Sequence, residues 1–443
     1  MRQHRTGSVL TLFIILAALT TGIPATAAQT STVVDALDRA AHPLRTVEPG
    51  GDTRDLRPLD RMIGDAEVVG LGEATHSSHD FFALKDRVFR HLVEEKGFRT
   101  FALEAPWSTG LRLNGYVLHG RGDPRRIMRE EFQRDYLWWN NTDYLRLVEW
   151  MRSYNVRHPG DPVRFIGDDI AWTGPESYDA VETYAAEAHP GLSARLAELY
   201  RGLRPTAQSG EYIERYQALP YAERKERAAR TGEALRLLRR TAPGADRAAY
   251  DWAVQQATVI DQTARQYAFD FEDLAGVAAA MRYRDGAMAA NVVWWQRHTG
   301  DKVLLSAHNN HVGYVPEAPA QYPKVQGAFL REHLGAGYVS VGLTFGRGSF
   351  NATGWDDDTI RRWTLGPAGP GSNERTLERV RHRDYVLDMR HVGAPAVDWL
   401  RRARPTRGIG TAYPDGPHDI ALARSYDVLI HLHRMAAARL RDR

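Results

Sequence analysis

The feature of this sequence that most constrains its fold is an alternation of short β-type runs with longer helical stretches. Several of the runs are continuous in Val, Ile and Leu, which is typical of strands buried on both faces of a sheet. The runs span residues 67–72, 99–103, 163–167, 302–307, 338–345, 384–389 and 426–432. Between the first two, residues 80–95 carry apolar side chains at helical spacing. We therefore predict an α/β fold of three layers, with a mostly parallel sheet flanked by helices.

One long segment, from about residue 174 to 300, interrupts this alternation. It is rich in Ala, Arg, Glu, Leu and Gln, and its segments 221–239 and 248–267 have the pattern of amphipathic helices. We predict a helical insertion between two strands that walls an active-site cleft. With 443 residues, 43% of them hydrophobic and 26% charged, the remainder is predicted to form a single α/β domain over residues 28–443.

Residues 1–27 have the pattern of a secretory signal peptide. Arg2, His4 and Arg5 give a positive start, residues 9–19 are almost wholly apolar, and a small-residue site follows at residues 25–27. A membrane anchor is the alternative, but the apolar run is short against the roughly 20 residues of a spanning helix. We expect a secreted or extracytoplasmic protein with no membrane span after signal removal.

Composition excludes several classes of function. The chain has no cysteine, which removes disulfides, thiol nucleophiles, thiolate zinc sites and iron–sulfur clusters. A net charge of +3, without a basic block interleaved with aromatic residues, is not typical of a nucleic-acid-binding protein. No Gly-x-Ser-x-Gly motif is present, which counts against a serine nucleophile of the α/β-hydrolase kind. The expected partner is a small molecule, not nucleic acid.

Ionisable residues directly follow four of the predicted strands. In an open α/β sheet, ligands bind beyond the carboxyl ends of the strands, so these residues are expected to share one rim. We predict an active site at that rim. In order along the chain the residues are Glu73, His76, Glu104, Asp168, Asp169, His308 and His311.

General acid–base chemistry on water fits these residue types. A histidine with a pKa of about 6.5 can deprotonate water at neutral pH, a carboxylate can orient it, and a second histidine or cation can stabilise the oxyanion. Structural alternatives stand beside this hypothesis. Glu73 could cap a helix, His76 could be structural, and His308 and His311 could cap a loop or bind a metal. Lys85, nine residues after His76, reaches the site only if its long side chain points back.

The motifs together resemble those of the erythromycin esterase family. They are Gly72-Glu73-Ala74-Thr75-His76 before a Phe81-Phe82 helix, Leu103-Glu104-Ala105, Trp139-Asn140 with Thr142-Asp143, Arg284-Asp285, and His308-Asn309-Asn310-His311. The resemblance runs from about residue 60 to 433. It implies hydrolysis of an ester by water and without a covalent intermediate. The macrolactone of a macrolide antibiotic is one candidate ester, with antibiotic resistance as the corresponding role, but the family also has members with other substrates.

The same resemblance implies roles for individual residues. His76 matches the family's general base, with Glu73 as the carboxylate before it. Glu104 matches the second glutamate, which would orient or acidify. Lys85 falls at a basic position of the family, and Arg284 matches a substrate or structural contact. His308 and His311 match the histidine pair across the cleft.

This sequence departs from the family pattern at two positions close to the proposed base. Ser77 stands where the family usually has Gly, and His79 is an unusual neighbour. Both bear on the shape of the pocket and hence on the substrate. Trp107, Trp138 and Trp139 are expected to line the cleft for a bulky apolar ligand, although tryptophan is also a common core residue.

Two other functions remain open. The first is a metal-dependent hydrolase of another substrate, with His76, His308, His311 and a glutamate as ligands. The second is a non-catalytic exported binding protein that has kept the cleft. Under the preferred hypothesis the site uses neither a metal ion nor another cofactor.

Overall fold

The computed structural model of this protein describes residues 25–355 and 359–442. Most of its strands belong to one nine-stranded sheet. The strands are β1 (His42–Pro43), β2 (Val68–Leu71), β3 (Phe98–Pro106), β4 (Arg164–Asp169), β5 (Lys302–Ser306), β6 (Tyr338–Thr353), β7 (Ile360–Leu365), β8 (Tyr385–Asp388), β9 (Arg404–Thr406), β10 (His418–Ile420) and β11 (Val428–Met435).

The sheet is mostly parallel, as predicted. Its strand order is β1-β8-β11-β6-β2-β5-β3-β4, and all neighbours from β11 to β4 are parallel. Antiparallel pairing is confined to β1 with β8, β8 with β11, and β7 with the distal half of β6. Strands β9 and β10 form a separate hairpin-like pair. Because β2, β5, β3 and β4 are adjacent and parallel, their carboxyl ends meet at one edge.

Helices cover both faces of this sheet. None within residues 25–355 and 359–442 has the length and apolarity needed to cross a membrane. The helices are α1 (Ala25–Ala40), α2 (Arg57–Ile63), α3 (His79–Lys96), α4 (Trp107–His119), α5 (Pro124–Glu131), α6 (Thr142–Arg157), α7 (Pro175–Ala188), α8 (Pro190–Tyr200), α9 (Ser209–Gln217), α10 (Tyr221–Arg240), α11 (Arg247–Tyr267), α12 (Leu274–Thr299), α13 (Asn309–Val312), α14 (Gln326–Leu334), α15 (Asn373–Leu377), α16 (Ala396–Leu400) and α17 (Leu422–Ser425).

Alternate residues of the central strands pack into two different cores. Phe101 of β3 packs with Phe89 of α3 on one face, at a ring-centroid distance of 5.2 Å. Ala102, the next residue, belongs to the core on the other face together with Val292 of α12. Burying one such aromatic side chain contributes roughly 1.5–3 kcal/mol. The resulting order of helices, sheet and helices confirms the predicted three-layer α/β fold.

The helices α7–α12 lie between β4 and β5, where the helical insertion is predicted. They have an apolar core of their own, which includes Val181, Leu196, Leu235 and Ile260. Because this core is separate from the two cores of the sheet, the insertion can pack beyond the carboxyl edge of the sheet and form one side of a cleft there.

All seven predicted strands are present in the structure, whereas β1, β7, β9 and β10 were not predicted. The predicted signal peptide lies outside the described residues, except for its last three residues, at which α1 begins. Export and the single-domain boundary at residue 28 therefore stay predictions.

Candidate active site

Glu73 lies two residues beyond the end of β2, in a turn that passes close to the segment after β5. A Cβ atom on Gly72 would lie 2.2 Å from Asn309 Oδ1, so only glycine allows this approach. The Asn309 N–H donates to the Glu73 carbonyl at 2.9 Å. The two segments are therefore held together at the rim, with Glu73 beside the His308–His311 segment.

Glu73 links His76 and Lys85 through its two carboxylate oxygens. Oε1 lies 3.0 Å from His76 Nδ1, and Oε2 accepts from Lys85 Nζ at 2.5 Å. Lys85 is completely buried. Burial lowers the pKa of Lys85, although the charge of Glu73 acts in the opposite direction. Helix α3 starts only at His79, so Lys85 lies in its second turn and its side chain reaches the site.

Two further polar groups hold Lys85, and neither was predicted. Lys85 Nζ donates to Ser306 Oγ at 3.0 Å and to the Ala307 carbonyl at 3.3 Å. The Ser306 hydroxyl is in turn 2.9 Å from the Tyr144 hydroxyl. Ser306 ends β5 directly after the apolar residues 303–305, which is a weak signal, and nothing in the local sequence marks Tyr144.

Glu104, at the end of β3, faces the second histidine-containing segment. Its Oε2 accepts the His308 backbone N–H at 2.8 Å, and its Oε1 lies 3.3 Å from both His311 Nε2 and Arg284 Nη2. Burial raises the pKa of Glu104, but the charges of His311, His76 and Arg284 outweigh burial and hold it well below its usual range. Glu104 is therefore ionised, which fits orientation of its neighbours better than proton donation.

His311 is held as a cation between two carboxylates. Its Nδ1 lies 2.7 Å from Asp285 Oδ1, and its Nε2 faces Glu104. Burial and the charge of Arg284, whose Nη1 lies 3.3 Å from His311 Nε2, act against the charged form, but Asp285 and Glu104 raise the pKa of His311 to about 9. Asp285 was visible in the sequence only as part of the Arg284-Asp285 motif, and the structure shows it pairing with His311.

His308 is neutral, whereas His311 is positively charged. Burial, with the nearby charge of His76, holds the pKa of His308 well below its usual range, so the ring is neutral. Its Nδ1 accepts the Asn310 N–H at 3.2 Å, which leaves the ring proton on Nε2. That Nε2 is buried and has no hydrogen-bond partner among the described residues. The ring centroids of His308 and His76 are 5.0 Å apart.

Arg284 joins β3 and β4 at the rim. It donates to Asp169 through Nε at 2.9 Å and through Nη2 at 2.5 Å, while Tyr136 donates its hydroxyl to the same carboxylate at 2.7 Å. Asp168 instead accepts from Gln326 at 2.6 Å, and burial raises its pKa well above the usual range. Asp169 thus positions Arg284, whereas Asp168 anchors the start of α14.

Two cavities meet at His76. The insertion-side cavity, of about 320 Å³, lies toward the helical insertion. The hairpin-side cavity, of about 260 Å³, lies toward the β9–β10 pair. Besides Glu104, the insertion-side cavity is lined by Tyr136, Trp139, Ile213, Tyr267, Phe271, Met281 and Arg284. The hairpin-side cavity is lined by His308, Asn310, Glu317, Gln321, Trp355 and Asp415, among others. Both cavities are also lined by His76, His311, Tyr322, Gly410 and Thr411.

Only one of the three tryptophans expected in the cleft lies there. Trp139 lines the insertion-side cavity, with its ring centroid 5.3 Å from that of His76. The prediction that Trp107 lines the cleft was wrong. Trp107 is 1% exposed, begins α4, and packs in the core against Trp294 and Trp295, with ring centroids 5.9 Å away. Trp138 is likewise buried in a core cluster. Trp107 and Trp138 are core residues and line neither the insertion-side nor the hairpin-side cavity.

The two departures from the family pattern, Ser77 and His79, lie at the start of α3. His79 lies between Asp143 Oδ1 at 3.0 Å and Glu48 Oε1 at 2.7 Å, and these carboxylates raise its pKa to about 9. The Ser77 hydroxyl accepts from Asn351 at 2.9 Å. Both residues therefore hold the chain at the start of α3, and neither lines the insertion-side or the hairpin-side cavity.

The histidines of the site are not disposed as a metal-binding set. Within the described ranges, no group of three or more His, Asp or Glu side chains is arranged to hold a metal ion. His311 has both ring nitrogens beside carboxylates, and His76 has Nδ1 beside Glu73. This arrangement gives the metal-dependent alternative no support. Activity measured with and without a chelator tests that alternative directly.

Comparisons of sequence place this site among known proteins. A family model described as erythromycin esterase matches residues 93–435. Erythromycin esterase type II of Escherichia coli is 25% identical over 329 residues, which cover 68% of this chain and 74% of that protein. Putative hydrolase YbfO of Bacillus subtilis (strain 168) is 29% identical over 136 residues, or 30% of this chain and 28% of YbfO.

Solved structures share the fold over almost the whole chain. A succinoglycan biosynthesis protein matches with a TM-score of 0.82 and 29% identity, covering 94% of this chain and 99% of its own. A Bacillus cereus protein matches with a TM-score of 0.84 and 28% identity, covering 93% and 99%. An erythromycin esterase mutant in its open conformation matches with a TM-score of 0.71 and 17% identity, covering 91% of this chain and 100% of its own. At this identity the match supports the fold alone.

Proposed function

This chain belongs to the erythromycin esterase family and is an ester hydrolase, and from that premise we propose that it is exported and cleaves its ester with water activated by His76. The observation that carries the proposal is the position of His76 at the junction of the two cavities. Its Nδ1 is engaged by Glu73, so Nε2 is the ring nitrogen free to accept a proton. A base of this kind supplies roughly 10²–10⁴ in rate.

In the proposed reaction, His76 Nε2 takes a proton from a water molecule as the water oxygen attacks the ester carbonyl carbon. Glu73, itself held by Lys85, stabilises the imidazolium that forms. The tetrahedral intermediate then expels the alkoxide, which receives the proton from His76. The products are a carboxylic acid and an alcohol, and no bond to the protein is made.

The negative charge that develops on the carbonyl oxygen needs donors already in place. His308 offers a neutral Nε2–H that has no other partner among the described residues. Arg284 and the His311 imidazolium add positive charge at the same rim. A single donor of this kind is worth about 10²–10³ in kcat. Ionised Glu104 orients His308 and His311 by accepting from the first and pairing with the second.

The substrate we propose is a macrolactone of the macrolide class, whose hydrolysis would serve antibiotic resistance. One support is the name of the E. coli relative, of which this chain covers 74%. The other is the aromatic wall of the insertion-side cavity, which includes Trp139, Tyr267 and Phe271 and suits a bulky apolar ligand. The leader pattern of residues 1–27 would place the enzyme outside the cytoplasm, where it meets an incoming compound first.

Mass-spectrometric turnover of erythromycin by the secreted protein tests this proposal. We expect a product heavier by one water, its loss in His76→Asn, and its survival in EDTA. His79→Asn is the matched control, because His79 is three residues away and lines neither cavity. Activity lost in EDTA and restored by added metal would support the metal-dependent alternative. Binding of erythromycin without turnover by the wild type would support a binding protein.

Failure to cleave erythromycin tests only the choice of substrate, whereas failure to cleave any ester tests the hydrolase mechanism. If simple aryl esters are cleaved in a His76-dependent manner while erythromycin stays intact, the macrolide assignment fails and the water mechanism stands. The N-terminal mass of protein recovered from the medium of a secreting host tests export, and we expect a chain that begins at Ala28.

A further inference from the structure

A third cavity, of about 340 Å³, lies on the other side of residues 407–409 from the catalytic cavities. It shares Gly408 and Asp415 with the hairpin-side cavity and no residue with the insertion-side cavity. Much of its wall is apolar and comes from Leu365, Pro370, Pro405, Ile409, Tyr413 and Pro417. We call it the Glu374 cavity, because Glu374 is the most deeply buried polar residue of its wall.

Glu374 is fully buried, and half of its carboxylate has no partner. Oε1 accepts the Arg407 backbone N–H at 2.7 Å, whereas Oε2 makes no hydrogen bond among the described residues. The Arg407 guanidinium does not supply the missing bond, because it donates to the Gly346 and Gly366 carbonyls at 2.6 and 2.7 Å. An unpaired buried carboxylate oxygen is costly, so its presence at a cavity wall points to a ligand.

The charges around the Glu374 cavity favour a cation. Glu374 and Asp415 contribute two carboxylates to the wall, against the single guanidinium of Arg407. Burial raises the pKa of Glu374, and a cation beside the carboxylate would offset that burial. In the neighbouring cavity, burial and the charges of Asp415 and Glu374 raise the pKa of Glu317 to about 7. His418 offsets part of this charge, at 3.7 Å from Asp415. Tyr413 adds an aromatic ring to the same wall.

We propose that the Glu374 cavity binds a small organic cation, a primary ammonium on a compact apolar ring or chain, with Glu374 Oε2 as its acceptor. Its volume lies within the range of about 300–1,000 Å³ that small-molecule sites occupy. An ammonium group supplies both the hydrogen bond that Oε2 lacks and the charge that the two carboxylates attract. This site is separate from the ester-cleaving rim and does not depend on the reaction proposed for it.

Isothermal titration of the mature protein with benzylamine, beside benzyl alcohol as its uncharged counterpart, tests the proposal at pH 7.5. We expect saturable benzylamine binding at one site, at least tenfold tighter than that of benzyl alcohol. Glu374→Gln keeps an oxygen for the Arg407 N–H but places an NH₂ group where Oε2 was, so it should weaken benzylamine binding at least tenfold. Equal affinities for amine and alcohol, or wild-type binding by Glu374→Gln, would overturn the proposal.

Two further variants keep the test decisive if Glu374→Gln does not fold. Ala368 lines the cavity and is 7% exposed, so Ala368→Phe places a ring in the space while Glu374 stays intact. Benzylamine binding should then be lost, and its retention would contradict the site. His76→Asn, altered in the catalytic cavities, should bind benzylamine as the wild type does. Loss of binding in that variant would place the amine at the rim instead.

Discussion

Replacing Lys85 with methionine should destabilise this protein far more than the loss of an ordinary ion pair. Lys85 is completely buried and Glu73 is 1% exposed, with 2.5 Å between Nζ and Oε2. Removal of Lys85 leaves the buried Glu73 carboxylate with only His76 Nδ1 beside it, and breaking a buried pair in this way costs about 3–5 kcal/mol. Because domains are stable by only about 5–15 kcal/mol, the variant should fold with a much smaller margin.

The chain offers a matched control for this substitution. Lys324 Nζ lies at the same distance, 2.5 Å, from Glu332 Oε2, but Glu332 is 64% exposed. Lys324 is 18% exposed and its Nζ lies 4.0 Å from the Phe329 ring centroid, a ring against which methionine can also pack. Water screens that pair, so Lys324→Met should change the free energy of unfolding by less than about 1 kcal/mol. Urea denaturation of the mature protein, followed by circular dichroism, gives both values on one scale.

A double variant separates coupling from the loss of packing. Glu73→Gln with Lys85→Met removes both charges, so its destabilisation should fall short of the sum of the single losses by about 1–3 kcal/mol. Additive losses, or a Lys85→Met cost no larger than that of Lys324→Met, would refute the reasoning. Ester hydrolysis should fall in Lys85→Met and in Glu73→Gln alike, since both act on the same carboxylate beside His76.

Three further predictions follow from the site. His308→Ala removes the free Nε2–H donor and should lower kcat by about 10²–10³ with little change in KM, as measured by steady-state ester hydrolysis. The pKa of His311, raised to about 9 when folded, means that its stabilising contribution is fully present below about 6.5, its unfolded value, and is lost as the pH rises toward 9. Asp285→Asn should flatten that part of the unfolding free energy against pH, and an unchanged pH dependence would contradict the Asp285–His311 pairing. Trp107→Phe should lower thermal stability and leave KM unchanged, whereas Trp139→Ala should raise KM; the reverse pattern would return Trp107 to the cleft.

The sequence sufficed to predict the central sheet and the residues at its rim. Continuous apolar runs predict strands buried on both faces of a parallel sheet. The polar residue that ends each run then lies at the carboxyl edge of the sheet, because it directly follows the strand. Strands β7, β9 and β10 were missed because they are half exposed, rich in Arg, Pro or His, and paired outside the parallel core. Their pairing depends on distant partners that a local pattern does not carry.

The orientation of side chains could not be obtained in the same way. Trp107 and Trp139 are the same residue type near the same rim, yet one faces the core and the other the cleft. His308 is neutral because it is buried, and His311 is charged because Asp285 and Glu104 lie beside it. Only the folded chain brings these groups together. Glu374 lies in an unremarkable stretch of sequence, and its unpaired oxygen is visible only in three dimensions.

A single-turnover hydrolysis in ¹⁸O-labelled water, with enzyme in excess over ester, tests the central claim most directly. Direct attack by water activated by His76 predicts one ¹⁸O atom in the carboxylic acid from the first turnover, and a rate at least about 10²-fold lower in His76→Asn. An unlabelled first-turnover acid, with the label found in the protein, would instead show attack by a carboxylate such as Glu73 or Glu104. A His76→Asn variant that works at the wild-type rate would equally contradict the account.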